Sequence, residues 1–293
     1  MRKVIAKGAH SIVYEDGGTI IKQPLGESGG DYYIDKQAIG YDVVKELLES
    51  GQDIGVNLPG LISIDREKRR IVEKRINGVD LRTEVYDSLT ERQKDAIAKQ
   101  MALFLNSMHQ LRKPQNPEHP IKHIFDSYKN CPNSAKEIID AFKNKLSEKA
   151  QKPIIDAEKY LMAAPISDEI HVMTHKDLRN QNVMYDEKEQ KLAVIDFELA
   201  GVGNIYQDFV PYAPASIISW DFTKRIVKSY NSIPDKKYPV AVDIEKVRNA
   251  LVYGIAHEFA RCQKMDDERG QNMNLSTEKR SRILEAMLSG FVF

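Results

Sequence analysis

A chain of 293 residues is long enough to bury one large core or two medium ones. Its 43 basic and 43 acidic residues cancel, so no whole-chain field attracts nucleic acid or an anionic membrane. With 42% hydrophobic and 29% charged residues it has the composition of a globular protein without low-complexity tracts. No stretch approaches the roughly 20 apolar residues of a bilayer span, and the start MRKVIAKGAHSIVYEDG lacks the apolar core of a secretory signal. The two cysteines, Cys131 and Cys262, lie far apart without metal-ligand spacing, which argues against a disulfide scaffold or structural zinc and fits a reducing, cytoplasmic compartment.

In chain order, Val4–Ala6, Ile12–Glu15 and Thr19–Lys22 are β-prone, with the turn signal Asp16-Gly17-Gly18 between the last two. After the glycine-rich stretch Gly26–Gly30, apolar residues at 39, 43, 44, 47 and 48 predict a helix over Ile34–Glu49, closed by Gly51. Leu61–Ile64 and Arg70–Lys74 then read as paired strands around the basic run Arg66–Arg70, a solvated hairpin end. From Asp80 the pattern turns helical. Thr90 and Gln93 spell a capping box, followed by Ile97, Met101, Phe104, Leu105 and Met108 at helical spacing. Helices are expected over Ser134–Leu146 and Ile154–Met162, separated by Pro153. A β-rich patch follows at Glu169–Thr174, Val183–Tyr185 and Leu192–Phe197. Helices resume near Phe222–Tyr230, Ile244–Met265 and Thr277–Leu288.

The chemistry concentrates in His175-Lys-Asp-Leu-Arg-Asn-Gln-Asn182 and in Ala193-Val-Ile-Asp-Phe-Glu198. Asp177 and Asn182, five residues apart on a loop, suit two jobs at one site: accepting a proton from a hydroxyl and offering a carbonyl oxygen to Mg²⁺. Asp196 ends an apolar strand and supplies a second oxygen ligand for the same metal. HKDLRNQN resembles the catalytic loop of the protein-kinase-like superfamily, with its H-x-D-x-x-x-x-N pattern, and DFE resembles the D-F-G that follows it.

The resemblance implies an α+β, bilobal protein-kinase-like fold: a small β-rich N-terminal lobe (1–76) that binds nucleotide and a larger, mainly helical C-terminal lobe (77–293) for catalysis and the acceptor. Lys7-Gly-Ala-His-Ser-Ile-Val-Tyr14 resembles the hairpin that covers the nucleotide, with Gly8 and Ser11 near the phosphates; Gly8 serves a plain turn equally well. Lys22 stands where the superfamily's phosphate-binding lysine ends its strand. Its usual helix-borne glutamate has no match; Asp42 is the acid near that position, with Glu46 one turn on. Ile71-Val-Glu-Lys-Arg-Ile-Asn-Gly78 resembles the hinge, which implies that the Lys74 carbonyl and the Ile76 amide meet the adenine edge.

The 98 residues between hinge and His175, the short passage from Asp196 to Asp208, the missing Ala-Pro-Glu closure and the helix ending Met108-His109 resemble aminoglycoside phosphotransferases and choline/ethanolamine kinases more than protein kinases, despite Arg179 after the loop aspartate. The implied activity is ATP- and Mg²⁺-dependent phosphoryl transfer to a small-molecule hydroxyl, with Asp177 as catalytic residue. His175 is expected to shape the loop by hydrogen bonding, and Asp208 to be structural. A protein serine/threonine kinase and a nucleotide-binding pseudokinase are the alternatives. For a cationic acceptor, Glu258 and Asp266-Asp267-Glu268 are candidate acids; the single tryptophan, Trp220, disfavours a tryptophan-rich cage.

Overall fold

Short β-prone runs joined by tight turns can only bury one face if they pair, and here they do. Strands β1 (Lys3–Lys7), β2 (Ser11–Asp16), β3 (Thr19–Pro24), β4 (Leu61–Asp65) and β5 (Arg70–Lys74) form an antiparallel sheet in the order β1-β2-β3-β5-β4. The protein is seen as a computed structural model that describes residues 2–7, 11–25, 30–113, 116, 118–121, 134–142, 146–161, 171–209, 219–234 and 241–269, with backbone alone at 258 and 261–269. The expected helix over 277–288 and Gly8 lie outside the described residues.

In the β3–β5 ladder Ile20 faces Glu73 and Lys22 faces Ile71. Side chains alternate across a strand, so Ile20, Lys22, Ile71 and Glu73 share one face. Helix α1 (Gly30–Glu49) covers that face. Its buried residues Tyr33, Ile34, Gln37, Tyr41, Val44 and Leu47 recur every three or four positions. Tyr33, Ile34 and Tyr41 close a small apolar cluster with Ile71 and Ile64. The deeper end of the helix, Val43, Val44 and Leu47, joins the much larger core of the helical body.

That body is built on α3 (Glu91–Gln110), whose Thr90/Gln93 capping box forms as expected, with the Thr90 N–H donating to Gln93 Oε1 at 2.9 Å. The helix packs along α6 (Trp220–Asn231), while α5 (Glu148–Leu161) packs along α7 (Ile244–Arg269). The short helices α2 (Thr83–Asp87) and α4 (Ala135–Ala141) complete it among the described residues. Pro153 was expected to precede its helix but lies inside α5. Proline removes one donor and crowds the carbonyl four residues back. Near the helix start that carbonyl belongs to Lys149, and burial of the ring beside Ile154 and Ala157 offsets the loss.

Two small ladders sit between the sheet and the helices. One is β6 (Val79–Asp80), β8 (Val183–Asp186) and β9 (Lys191–Val194) in the order β6-β8-β9; the other pairs β7 (His171–Thr174) with β10 (Gly201–Asn204). The sequence patterns marked β7, β8 and β9 but not β6 or β10, whose glycine-rich or two-residue runs carry no alternation. The chain enters β6 through Gly78, at φ +128°, where a side chain would lie 2.7 Å from the Tyr185 carbonyl oxygen.

Gly40 does equivalent work on α1. A Cβ there would stand 2.7 Å from the Phe197 carbonyl oxygen and 3.0 Å from the Phe197 side chain. The helix therefore rests directly on the 3₁₀ turn Phe197–Leu199 that follows Asp196. Gly40→Ala gains up to about 1 kcal/mol of helix propensity. Forcing a methyl against backbone costs about 1–3 kcal/mol, and the backbone oxygen has no rotamer by which to yield. The variant is expected to melt below the wild type, measured by thermal unfolding.

Candidate active site

The turn after β9 and the loop after β7 deliver the two most informative sequence segments to one place, beside the end of β3. Lys22 is 7% exposed and its ammonium lies 3.5 Å from Glu73 Oε2 and 3.7 Å from Asp196 Oδ1. Burial disfavours its charge, but Glu73, Tyr41 and Asp196 outweigh that and hold its pKa well above the ordinary lysine value. The Tyr41 hydroxyl donates to Glu73 Oε2. Gln37, 2% exposed, donates from Nε2 to Asp196 Oδ1 at 3.2 Å and to Glu198 Oε2 at 2.9 Å.

Here the structure corrects the expectation for the lysine's partner. Asp42 is half-buried on α1 one residue beyond Tyr41, and the carboxylates that pair with Lys22 are Glu73 and Asp196. A turn of 100° per residue carries the side chain after Tyr41 away from the face Tyr41 presents. Glu46 pairs with His119 at 3.2 Å.

On the other wall, Asp177 follows Lys176, one of two non-glycine residues in the site with a left-handed backbone (φ +66°); Asp196 is the other (φ +67°). Such conformations cost energy for a side chain and persist only where the surroundings over-determine them. For the loop, that surrounding is Asp208. The His175 and Lys176 N–H groups donate to its Oδ2 and Oδ1 at 3.0 and 2.9 Å. His109 Nε2 lies 3.2 Å from Asp208 Oδ2, and the carboxylate places the proton on that nitrogen; Nδ1 then accepts from Tyr230 at 3.0 Å. His175 is fully buried: Nε2 donates to the Ile195 carbonyl (3.1 Å) and Nδ1 accepts the Asp177 N–H (3.3 Å). Burial pushes its pKa down, so it is a neutral strut between the two loops rather than a proton carrier. His175 thus shapes the loop, as the sequence suggested, and Asp208, read there only as structural, anchors the loop together with His109.

Asn182 donates from Nδ2 to the Asp177 carbonyl (2.9 Å) and to Asp177 Oδ2 (2.7 Å), while Arg179 Nε approaches the same oxygen at 3.2 Å. The amide is thereby oriented, and Asn182 Oδ1 accepts from no described residue. Asp196 likewise commits Oδ1 to Lys22 and Gln37 and leaves Oδ2 without a described donor. An amide carbonyl and a carboxylate oxygen are hard donors, the chemistry that fits Mg²⁺.

The remaining expectations fall at the rim. Ser11 starts β2 and is half-buried. Lys74 ends β5 with its side chain exposed, and Ile76 is half-buried in the link that follows. Trp220 opens α6 and packs against the large core. The side chains of Glu258 and residues 266–268 lie outside those described. Sequence reasoning missed Glu73, Tyr41, Gln37 and Glu198. The signal for Glu73 was present: an acid two residues after Ile71, on the inward parity of a strand.

The profile of the phosphotransferase enzyme family (APH) matches residues 51–231, and the chain belongs to that family. It is similar in fold to the GDP complex of aminoglycoside 2'-phosphotransferase-IIIa (TM-score 0.67, 16% identity, 100% of this chain and 93% of that one). It is also similar to a choline/ethanolamine kinase family protein from Mesorhizobium loti (TM-score 0.60, 12% identity, 99% and 87%) and to choline kinase LicA from Streptococcus pneumoniae (TM-score 0.54, 16% identity, 98% and 92%). The molecule is therefore a phosphotransferase with the kinase-like fold. No helix among the described residues is long and apolar enough to cross a membrane.

Burial raises the Asp177 pKa to about 6, with the Asp196 charge adding to the rise and Arg179 and the Asn182 hydrogen bond opposing it. The folded protein then binds more protons than the unfolded chain between about pH 4 and 6, so this group's contribution to stability falls as pH rises through that window. Carbon-13 NMR of the carboxyl groups should show an aspartate titrating near pH 6 that is absent from Asp177→Asn. Arg179→Ala, which deletes the nearby cation, should move that midpoint upward.

Proposed function

We propose that the protein transfers the γ-phosphoryl group of ATP to a hydroxyl of a small molecule, with Asp177 as the base. The observation that carries the reading is the convergence of Lys22, Asp196, Asn182 and Asp177 from three separated segments, with Lys22 and Asp196 in an ion pair and Asn182 bonded to Asp177. Residues 1–76 act as the nucleotide-binding lobe and 77–293 as the catalytic and acceptor-binding lobe. Gly8 and Ser11 cover the phosphates, and the Lys74 carbonyl and Ile76 amide meet the adenine edge.

In the proposed reaction the acceptor O–H gives its proton to Asp177 as its oxygen forms a bond to the γ-phosphorus, and the bond from that phosphorus to the β–γ bridging oxygen breaks to release ADP. Lys22 holds phosphate oxygens. Asp177 is oriented by Asn182 and Arg179, and its raised pKa makes it a better proton acceptor than an exposed aspartate while leaving it ionised at pH 7. Asn182 Oδ1 and Asp196 Oδ2 would hold Mg²⁺, which neutralises phosphate charge when bound. The remaining demand is positioning, which the rigid anchoring of the loop on Asp208 meets.

The family, and folds like those of aminoglycoside and choline kinases, support acceptors such as aminoglycosides, choline, ethanolamine or a related metabolite. Mg·ATP consumption across such a panel, extended to amino alcohols and sugars, should rise above the acceptor-free rate with at least one compound. Asp177→Ala should lower that turnover by at least ~10²-fold and leave ATP affinity nearly unchanged; substantial residual turnover would remove Asp177 from its role. The kcat/KM profile should rise with pH through about 6 and level off above, since only the ionised carboxylate accepts a proton.

A further inference from the structure

We infer that Glu73, a strand residue, is the positioning residue for the nucleotide-binding lysine, and that α1 has been released from that task to hold the Asp196 turn instead. The inference rests on the reading of Lys22 as the phosphate-binding lysine. Two buried groups of opposite charge on one sheet face form its basis: side chains 9% and 6% exposed, 3.5 Å apart. Both strands belong to one ladder, with Lys22 opposite Ile71 and Ile20 opposite Glu73. Their separation is therefore set by backbone hydrogen bonds between β3 and β5, not by the seating of a helix.

From α1 the residues that reach this cluster are a phenol and an amide. Tyr41 occupies an oxygen of Glu73 with its hydroxyl, and Gln37 turns to Asp196 and Glu198. These two, Lys22, Asp196 and Phe197 are among the residues that line one small cavity. The pair Glu73–Asp196 holds the ammonium between two anions. Without Glu73, Asp196 is the remaining carboxylate, and the ammonium is drawn onto the oxygen-donor residue and away from the phosphates. The Lys22–Glu73 spacing is thus set within the sheet, while α1 adds the Tyr41 hydrogen bond to Glu73 and holds Asp196 through Gln37.

The test is a double-mutant cycle in Mg·ATP affinity, measured by calorimetry and independent of any acceptor, with kcat and KM measured where turnover is found. Glu73→Gln and Glu73→Met should each weaken Mg·ATP binding by about tenfold or more, and Glu73→Met closes the cycle with the double variant. Lys22→Met should weaken it by a similar factor, and Lys22→Met/Glu73→Met should bind no more weakly than Lys22→Met alone. That last comparison uses a variant in which both buried charges are replaced by apolar groups, a change that cores tolerate far better than removal of one partner. It keeps the proposal open to refutation where Glu73→Gln does not fold, because a double variant that binds more weakly than Lys22→Met shows Glu73 acting other than through Lys22. Additive losses in the cycle, or Glu73→Gln binding within twofold of the wild type, would overturn the role of Glu73 while leaving the phosphotransfer reading intact. Wild type that binds no nucleotide would overturn both. Wild type that binds with the expected coupling but phosphorylates nothing would count against the proposed reaction and support the clamp.

Discussion

A lysine ammonium held in a nearly dry pocket between two carboxylates is the contact on which the arrangement of this protein depends. Lys22 comes from the sheet, and Asp196 from the turn that follows β9 in the helical body. An unpaired charge at this depth would cost several kcal/mol, so the sheet cannot drift from the turn without exposing or orphaning one of them. Glu73 sets the position from the sheet side, and Tyr41 and Gln37 from the helix side. The absence of a side chain at Gly40 permits the approach that makes those bonds short enough to matter.

The catalytic loop is stabilised in a different way. It carries a left-handed lysine and exposes little apolar surface, so its shape must come from hydrogen bonds to fixed groups. Asp208 supplies them, and it is itself fixed by His109 at the end of a long helix whose other residues fill the large core. His175 then ties the loop to Ile195, next to Asp196. Loop and turn are thereby registered to each other through one neutral imidazole, whose charging burial disfavours. Fully satisfied buried networks of this kind specify one geometry, and a base and an oxygen-donor pair need that.

Electrostatics divides the acids of the site by task. Asp177 is pushed towards neutrality by burial and is kept serviceable by Arg179 and Asn182. Asp196 and Glu73 both lie against the Lys22 ammonium. Carboxylates set in such different surroundings can serve as a proton acceptor, the role proposed for Asp177, or as structural or ligating groups without any change in residue type.

Much of this was legible in the chain alone. The strands of the sheet, α1, the capped start of α3 and the two motif segments all announce themselves by period, turn residues or spacing, because those signals are local and each element states its own. Asp177, Asn182, Asp196 and Lys22 could be named from their motifs for the same reason. The partner of Lys22 could not. A search along the following helix found Asp42, whereas the acid lies some fifty residues on, in a strand that pairs with β3 only after the chain has crossed the sheet. The roles of Gln37 and His109 were equally hidden, since nothing near either residue in sequence names its partner. Pro153 shows the reverse case, a local rule overridden by burial. The sequence by itself determined the elements and the residue types that chemistry requires; which buried charge meets which was decided only by tertiary structure, because pairing depends on register and helix approach between segments that are distant along the chain.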